Sequence, residues 1–556
     1  MIWFCLSALL LVYVVFRHII WRGMTAAKRA TVLVMGDIGR SPRMQYHAQS
    51  LALAGYDVDL VGLAGAAPHS DITSNPRISI YALEQFDAAR VPLLRHLLGT
   101  HSSIAGAVLL GAKAASQFFL LFVTLVWTVP RPQMVLVQSP PAIPVIAVAR
   151  LSSWLRGARL VIDWHNLGYS IMALGALGRR VPALVAVARA VELYGGRLAD
   201  GHLAVTRALA AFLSAQNVAP AERIAVVHDQ PARIFTELAL PVGVAAAPEH
   251  GSALAPAAAV SAVAAAGAAV AHELFARLER DGTLEGLNRD WHRARVIAPS
   301  AEAGAARETL LTRLDKSGAP VWRSDRPAVL VSGTSWTPDE DFSVLLAGLQ
   351  RLDATIAAQR AAAQQGAPPA ADVTLPDVLI VVTGRGPLRE TYVTRFRTAQ
   401  LRHCHFTTAW LRAEDYPRLL RVADAGVSLH CSSSGLDLPM KVVDMFGVAL
   451  PVCAVAFACL SELVRDGENG LVFADAEALA TQLARLLSGF PAAVPTGDIA
   501  TAPLLVQLRA RLLADVGTRQ WQRNWEMCAA PALGVELCSD DLHDQRGKRH
   551  VKQKCI

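Results

Sequence analysis

Charge is scarce in this chain. Only 18% of its 556 residues are Asp, Glu, Lys or Arg, against 53% hydrophobic, and the mean hydropathy is +0.33. Aromatic residues make up 6% and the net charge is +7, with basic residues spread out rather than interleaved with aromatics. That distribution does not support a nucleic-acid-binding surface. The eight cysteines (Cys5, Cys404, Cys431, Cys453, Cys459, Cys528, Cys538 and Cys555) form no CxxC pair and follow no framework spacing. A disulfide-built secreted fold and a zinc site are therefore not indicated, and a reducing compartment is. The GxGxxG dinucleotide fingerprint is missing as well.

What is present is α/β alternation, twice over. The length calls for two or more domains. Ala30–Met35 reads as a buried strand running into Gly36-Asp37-Ile38-Gly39-Arg40-Ser41-Pro42-Arg43, then a helix to Ala54 and a strand over Val58–Leu63. Loops at the carboxyl ends of such strands are where α/β proteins take ligands. Arg40 and Arg43 read either as solvated loop charges or as ligand contacts. Further strands are expected at Met134–Gln138, Arg159–Asp163, His202–Val205 and Ile224–Val227, with a helix after Pro144. The strand ending at Asp163 leads into Trp164-His165-Asn166-Leu167-Gly168-Tyr169-Ser170, a set of polar types with the composition of a catalytic or substrate-binding loop.

The second alternation starts near Pro327. A strand over Ala328–Gly333 precedes Thr334–Asp341, where Pro338 and the acids are expected in the first turn of a helix. Val378–Val382 leads into Thr383-Gly384-Arg385-Gly386-Pro387, a glycine loop carrying a cation. Tyr416–Ala423 reads as helix. A strand over Ala425–Leu429, the loop Ser432-Ser433-Ser434-Gly435, a helix from Pro439 and a returning strand over Leu450–Ala456 complete an anion-binding pattern, or else an ordinary crossover with surface charges. Lys441 supplies a point charge suited to phosphate, and Asp444, three residues on and on the same helical face, a carboxylate suited to a ribose diol.

Two segments bear on membranes. Ile2–Phe16, extended by Ile19–Trp21, is apolar and followed by Arg17, Arg22, Lys28 and Arg29. Charge after the apolar run favours an uncleaved anchor with a cytosolic chain over a cleaved signal. Ile104–Val129 is apolar but broken by Lys113 and Gln117, which leaves a helix buried in the domain and a helix in the membrane interface both open. Alanine-rich stretches from Val242 and over Ala357–Ala371 read as an insertion that buries little and a long surface loop.

The strings GDIGRSPRMQYHAQSLA (36–52), IDWHNLGYSIMAL (162–174), SGTSWTPDEDFSVLLAGL (332–349), VTGRGPLRE (382–390) and SLHCSSSGLDLPMKVVDMFG (428–447) together resemble the eukaryotic β-1,4-mannosyltransferases that add the first mannose to chitobiosyl-diphospho-dolichol. With LPVCAVAF and the run at 468–473 they cover about residues 30 to 480. The resemblance implies an α/β GT-B fold: two facing Rossmann-like domains behind an N-terminal transmembrane anchor. The expected organisation is an anchor over 1–22, an acceptor domain over 28–240, an Ala-rich insertion and linker over 241–322, a nucleotide-sugar domain over 323–495, helices over 496–534 and a basic tail over 535–556.

It also implies an inverting transfer of mannose from GDP-mannose to GlcNAc2-diphospho-dolichol, without cofactor or metal, at the endoplasmic reticulum membrane. A single span, cytosolic catalytic domains and a complex with other dolichol-pathway mannosyltransferases go with it. The end of the chain, Lys552-Gln553-Lys554-Cys555-Ile556, fits a dilysine retrieval pattern. Inversion needs a general base: His165 is the first candidate and Asp37 the second. Gly384, Arg385, Ser433, Ser434, Gly435, Lys441 and Asp444 are the donor candidates, with Asp437 and Asp339 as weaker ones or helix caps. Gly36, Gly39, Arg40, Arg43, Asn166 and Tyr169 are the acceptor or diphosphate-loop candidates. A retaining α-mannosyltransferase would share the architecture, but its Glu-x7-Glu pair fails here, with Leu436 in the first place. An inactive GT-B scaffold subunit is the other alternative.

Overall fold

The computed structural model describes residues 28–84, 103–239, 257–287, 291, 308–365, 375–491, 503–516 and 521–537. The expected anchor and most of the expected basic tail lie outside the described residues. The chain divides into two compact units: Met1–Asp229 with Trp521–Ile556, and Gln230–Gln520.

Unit 1 is built on seven parallel strands: β1 (Arg29–Asp37), β2 (Asp57–Leu63), β3 (Ile78–Leu83), β4 (Met134–Ser139), β5 (Arg159–Trp164), β6 (Gly201–Ala204) and β7 (Ile224–Val226). Their order is β3-β2-β1-β4-β5-β6-β7. Central strands are apolar without alternation because helices cover both faces: Val32, Leu33, Val34, Leu160, Val161 and Ile162 are all fully buried. The order reverses between β1 and β4, the switch point at which doubly wound sheets open a crevice. The crossovers supply α1 (Pro42–Leu53), α2 (Ser103–Val123, continued as a wider turn through Thr128), α3 (Val145–Arg156), α4 (Gly168–Leu174) and α5 (Pro182–Arg197). Pro42 opens α1 and Gly157, at φ +64°, closes α3, as the geometry of helix ends favours. The apolar segment after Ile104 is helical. Its last turns are anchored by buried Leu121, Leu125 and Val126, and Arg156 donates to the carbonyl of Val129 at 2.9 Å.

The C-terminal segment belongs to unit 1. Trp525, Ala529, Ala530 and Leu533 are buried in the same core as Val32, Leu60 and Leu203.

Unit 2 carries a short helix over Arg233–Ala239, then α6 (Ala257–Arg280) and a hairpin of β8 (Thr312–Leu314) and β9 (Pro320–Trp322). Its sheet is β12-β11-β10-β13-β14-β15, all parallel, from β10 (Ala328–Gly333), β11 (Val378–Thr383), β12 (Cys404–Ala409), β13 (Ala425–Ser428), β14 (Val452–Val455) and β15 (Gly470–Phe473). Helices α7 (Phe342–Gln364), α8 (Asp415–Val422) and α9 (Met440–Gly447) fill its crossovers. The switch point falls between β10 and β13.

Three expectations change here. Over 257–280 the alanine-rich stretch is a core helix, not an insertion that buries little. Val260, Val263, Ala271, Leu274, Phe275 and Leu278 recur at helical spacing into the core of unit 2. The small residues between them let Trp322 approach closely enough for its indole to donate to the carbonyl of Ala264 at 2.8 Å. The tract from Ala357 is helical through Gln364, because α7 runs on through it, and residues 366–371 lie outside the described residues. Pro338 and Glu340 precede α7 rather than opening it; the cap is Asp341, which accepts from the Ser343 amide at 2.9 Å.

Candidate functional site

The end of β5 in unit 1 carries a buried charge cluster. The Asp163 carboxylate, fully buried, accepts four hydrogen bonds. Arg43 donates two, from Nε at 2.8 Å and Nη2 at 2.9 Å; His47 Nε2 lies at 3.1 Å and His165 Nε2 at 2.8 Å. Arg43 and His47 are one turn apart on α1, so a single helical face delivers both. Burial alone would raise the Asp163 carboxyl, but the charge of Arg43 and the bonds from the two histidines hold it well below the usual carboxylate range. His47 Nδ1 accepts the indole N–H of Trp525 at 3.0 Å. Its one proton therefore sits on Nε2, and burial pushes the ring below the ordinary histidine value, so it is neutral. His165 is the outermost member, with a side chain 22% exposed. Donating from Nε2 to Asp163 leaves Nδ1 with the lone pair, the tautomer that a general base requires.

The loop carrying His165 is braced from behind. The His165 amide donates to the Ser139 carbonyl at 2.8 Å. Glu192 of α5, 1% exposed, takes the first amides of α4, Gly168 at 2.9 Å and Tyr169 at 3.1 Å, and the Ser139 hydroxyl at 3.3 Å. Burial pushes the Glu192 carboxyl up, against those donors. Asn166 turns its amide oxygen to the Leu167 amide at 2.7 Å. The Tyr169 ring lies under Arg189, 5.8 Å from its guanidinium carbon.

The loop after β1 is organised by Asp37, whose carboxylate accepts the amides of Gly39 at 3.0 Å and Ala66 at 2.9 Å and lies 3.4 Å from Arg40 Nε. A Cβ on Gly39 would lie 2.3 Å from the Ala66 carbonyl oxygen, so the two loops meet only with glycine there. Gly36 makes no such close approach. Arg40 extends outward, 79% exposed. Arg43, by contrast, is interior: besides Asp163 it binds Asp229 and the Val227 carbonyl, each at 2.8 Å.

In unit 2 the loops after β10, β11 and β13, three adjacent strands, meet at the switch point. A Cβ on Gly384 would lie 1.8 Å from the Thr334 carbonyl oxygen, and one on Gly386 1.7 Å from that of Ser335. Glycine at both positions is what lets the second loop lie on the first. Arg385 between them is exposed and stacks on Trp410, guanidinium carbon to ring centre 4.2 Å. The serine loop is held by its own hydroxyls. Ser432 Oγ accepts the Gly435 amide at 2.9 Å and Ser434 Oγ the Leu436 amide at 3.2 Å. Gly435 has φ +73° and open space where a Cβ would stand. Ser433 is half-buried beside them.

Lys441, in the first turn of α9, is not a loose surface charge. Its ammonium is 2.5 Å from Glu340, a carboxylate only 3% exposed that also accepts the Thr334 hydroxyl and the Ser335 amide at 3.0 Å. Asp444 follows one turn later, and its charge adds to burial in raising the Tyr416 phenol. His430 lies between two acids, Nδ1 at 3.5 Å from Asp339 and Nε2 at 3.7 Å from Asp437. Burial would lower it, yet the two carboxylates raise it to about 9, so it is a fixed cation at neutral pH. Bonding to His430 in turn holds the Asp339 carboxyl below its usual range. Neither Asp339 nor Asp437 caps a helix. Among the described residues no three His, Cys, Asp or Glu side chains are grouped as a metal site.

Sequence reasoning missed His47, Glu192, Trp525, Glu340 and His430. His47 carried a faint signal, one helical turn after Arg43, and His430 stands two residues before the serine loop; the others are brought in by distant segments.

Residues 39–230 match the family described as glycosyl transferase 4-like domain, and 351–489 the one described as glycosyl transferases group 1. Among solved structures, an α,α-trehalose-phosphate synthase (UDP-forming) from Burkholderia vietnamiensis superposes with TM-score 0.51 at 10% identity, over 91% of this chain and 100% of that one. A sucrose-phosphate synthase from Thermosynechococcus elongatus does so with TM-score 0.50 at 13% identity, over 93% and 98%. With two parallel-sheet Rossmann-like units, these matches define a glycosyltransferase of the GT-B fold.

The chain is 39% identical over 524 residues, 94% of its length and 92% of the relative's, to chitobiosyldiphosphodolichol beta-mannosyltransferase of Mus musculus. It is 39% identical to that of Homo sapiens over 92% of this chain and 94% of that one. A third relative, UDP-glycosyltransferase TURAN of Arabidopsis thaliana, is 38% identical over 91% of this chain and 97% of its own length. The chain belongs to the chitobiosyldiphosphodolichol beta-mannosyltransferase family.

Proposed function

We propose that the protein transfers mannose from GDP-mannose to the terminal GlcNAc of GlcNAc2-diphospho-dolichol, with inversion. The observation that carries the reading is the Asp163–His165 pair, in a chain so similar to proteins named for that reaction. His165 Nδ1 takes the proton of the acceptor 4-hydroxyl as the new O–C1 bond forms. The bond from C1 to the diphosphate oxygen breaks in the same displacement, and GDP leaves with the electron pair. Asp163 stabilises the imidazolium that results, and Arg43 and His47 position Asp163. Asp37, occupied by backbone amides, shapes the acceptor loop with Gly36, Gly39 and Arg40; Asn166 and Tyr169 contribute from the neighbouring loop.

Unit 2 takes the donor. Arg385, Lys441 and the loop over Ser433, Ser434 and Gly435 meet the diphosphate, Gly384 keeps the loop close, and Asp444 accepts from the ribose. These fixed positive groups stabilise the leaving GDP without a metal ion. The enzyme acts at the endoplasmic reticulum membrane on a single N-terminal anchor, with its catalytic units cytosolic and in company with other mannosyltransferases of the pathway.

The test is product analysis. Membranes containing the protein, given GDP-mannose and a GlcNAc2-diphospho-phytanyl acceptor, are expected to yield a β-mannosidase-sensitive trisaccharide. An α-linked product, or none, sinks the reading. Transfer from a UDP-sugar in preference to GDP-mannose, which the name of the Arabidopsis relative points to, would overturn the donor assignment.

A further inference from the structure

Surface helices of a soluble domain turn a polar face to water. In unit 1, four helices that pack side by side, α2 to α3, α3 to α5 and α5 to α4, do the reverse. Phe119 is 70% exposed, Val187 58% and Tyr194 63%. Leu151 and Trp154 on α3, and Val187, Val191 and Tyr194 on α5, recur at helical spacing along outward faces, so each helix carries an apolar stripe away from the core. The charge between Ser103 and Ala199 is one-sided. The stretch contains nine Lys and Arg but two acids, Asp163 and Glu192. Both acids are fully buried, while Arg179, Arg180, Arg189 and Arg197 are exposed. The first exposed acid is Asp200, where the stretch ends.

We propose that this face of unit 1 lies on the surface of an anionic phospholipid leaflet, with the α2, α3 and α5 stripes entering the headgroup boundary and the arginines meeting lipid phosphates. Exposed apolar side chains beside cations, with both acids of the stretch withdrawn, match that surface in both chemistry and charge. A second copy of the chain fits less well, since a two-fold contact would set arginine against arginine. The face also continues into α4, whose Tyr169 follows His165, so a leaflet there is adjacent to the loop that receives a lipid-linked acceptor. That consequence rests on the proposed function; the lipid contact does not.

Photocrosslinking of the full chain tests it without turnover. p-Benzoylphenylalanine replaces Phe119, Val187 or, as a control, exposed Ala361 on α7 of unit 2, and the protein is irradiated in vesicles of phosphatidylcholine with phosphatidylserine. Phe119 and Val187 are expected to form lipid adducts at least about tenfold above Ala361, as residues within an interfacial layer do. Adducts no greater than at Ala361, or protein–protein adducts in their place, overturn the proposal. Arg179→Glu with Arg180→Glu is expected to lower the phosphatidylserine adduct at Val187 severalfold relative to the phosphatidylcholine adduct. An unchanged ratio refutes the anionic preference.

Discussion

Replacing Asp163 by asparagine keeps the size of a fully buried side chain and removes its charge. Arg43, 4% exposed, would be left with Asp229 as its one carboxylate partner, and the new amide would turn N–H groups toward donors on Arg43, His47 or His165. Removing one partner of a buried ion pair costs about 3–5 kcal/mol, because the other charge stays buried. In a unit of this size each kcal/mol moves the melting temperature by roughly 2–4 °C, so a fall on the order of 10 °C is expected. The sign with pH follows from the folded carboxyl lying well below its usual range. Its stabilisation is fully present above the unfolded value of about 3.9 and is lost as pH falls through the folded one. The deficit of Asp163→Asn is therefore expected to be constant over about pH 5 to 8. The control is Asp57→Asn, a carboxylate 46% exposed and 3.4 Å from Arg77, expected to cost about 0–1 kcal/mol. Thermal unfolding of both variants in detergent decides the matter. An Asp163→Asn protein as stable as the Asp57→Asn control refutes the buried cluster.

Three further outcomes are expected in unit 2. His430, raised to about 9, stabilises the unit fully below its unfolded value near 6.5 and loses that contribution as pH rises to about 9. The loss is worth up to roughly 3 kcal/mol, so His430→Gln should flatten the fall in melting temperature across that window, and an unchanged slope contradicts the assignment. Gly386→Ala places a methyl 1.7 Å from the Ser335 carbonyl oxygen and is expected to part the two loops, weakening GDP-mannose binding at least about tenfold by titration; wild-type affinity contradicts the close approach. Lys441→Gln removes one charge-assisted contact and should raise KM for GDP-mannose roughly 10- to 100-fold, and an unchanged KM argues that Lys441 serves only to neutralise Glu340.

Central strands were legible in the sequence because burial on both faces writes a continuous apolar run, as in Val378–Val382. Strands β3, β12 and β15, at the sheet edges, were not recognised: β3 buries only Ile78 and Leu83 and exposes Ile80, β12 carries His405, Thr407 and Thr408, and β15 is a short run, Gly470–Phe473. The glycine loops and the Asp163–Ser170 cluster were readable from residue type alone. The partners that give them meaning were not. Trp525 fixes the tautomer of His47 from 478 residues away, and Glu340 reaches Lys441 across 101 residues. Local composition also misjudged α6, because alanine at a close helix contact and alanine in a loop are the same letter. Arg43 reads as a loop cation until α1 is seen to turn it toward the end of β5.

The central claim is that His165, held by Asp163, removes the acceptor proton while unit 2 holds the donor. Its most direct test is single-turnover transfer by His165→Ala, with GDP-mannose binding measured on the same preparation. The expected result is a loss of roughly 10²- to 10⁴-fold in rate, the usual worth of a general base, with donor affinity unchanged. A rate within a few-fold of wild type, with Asp37→Ala inactive but folded, would contradict it and move the base to the loop after β1.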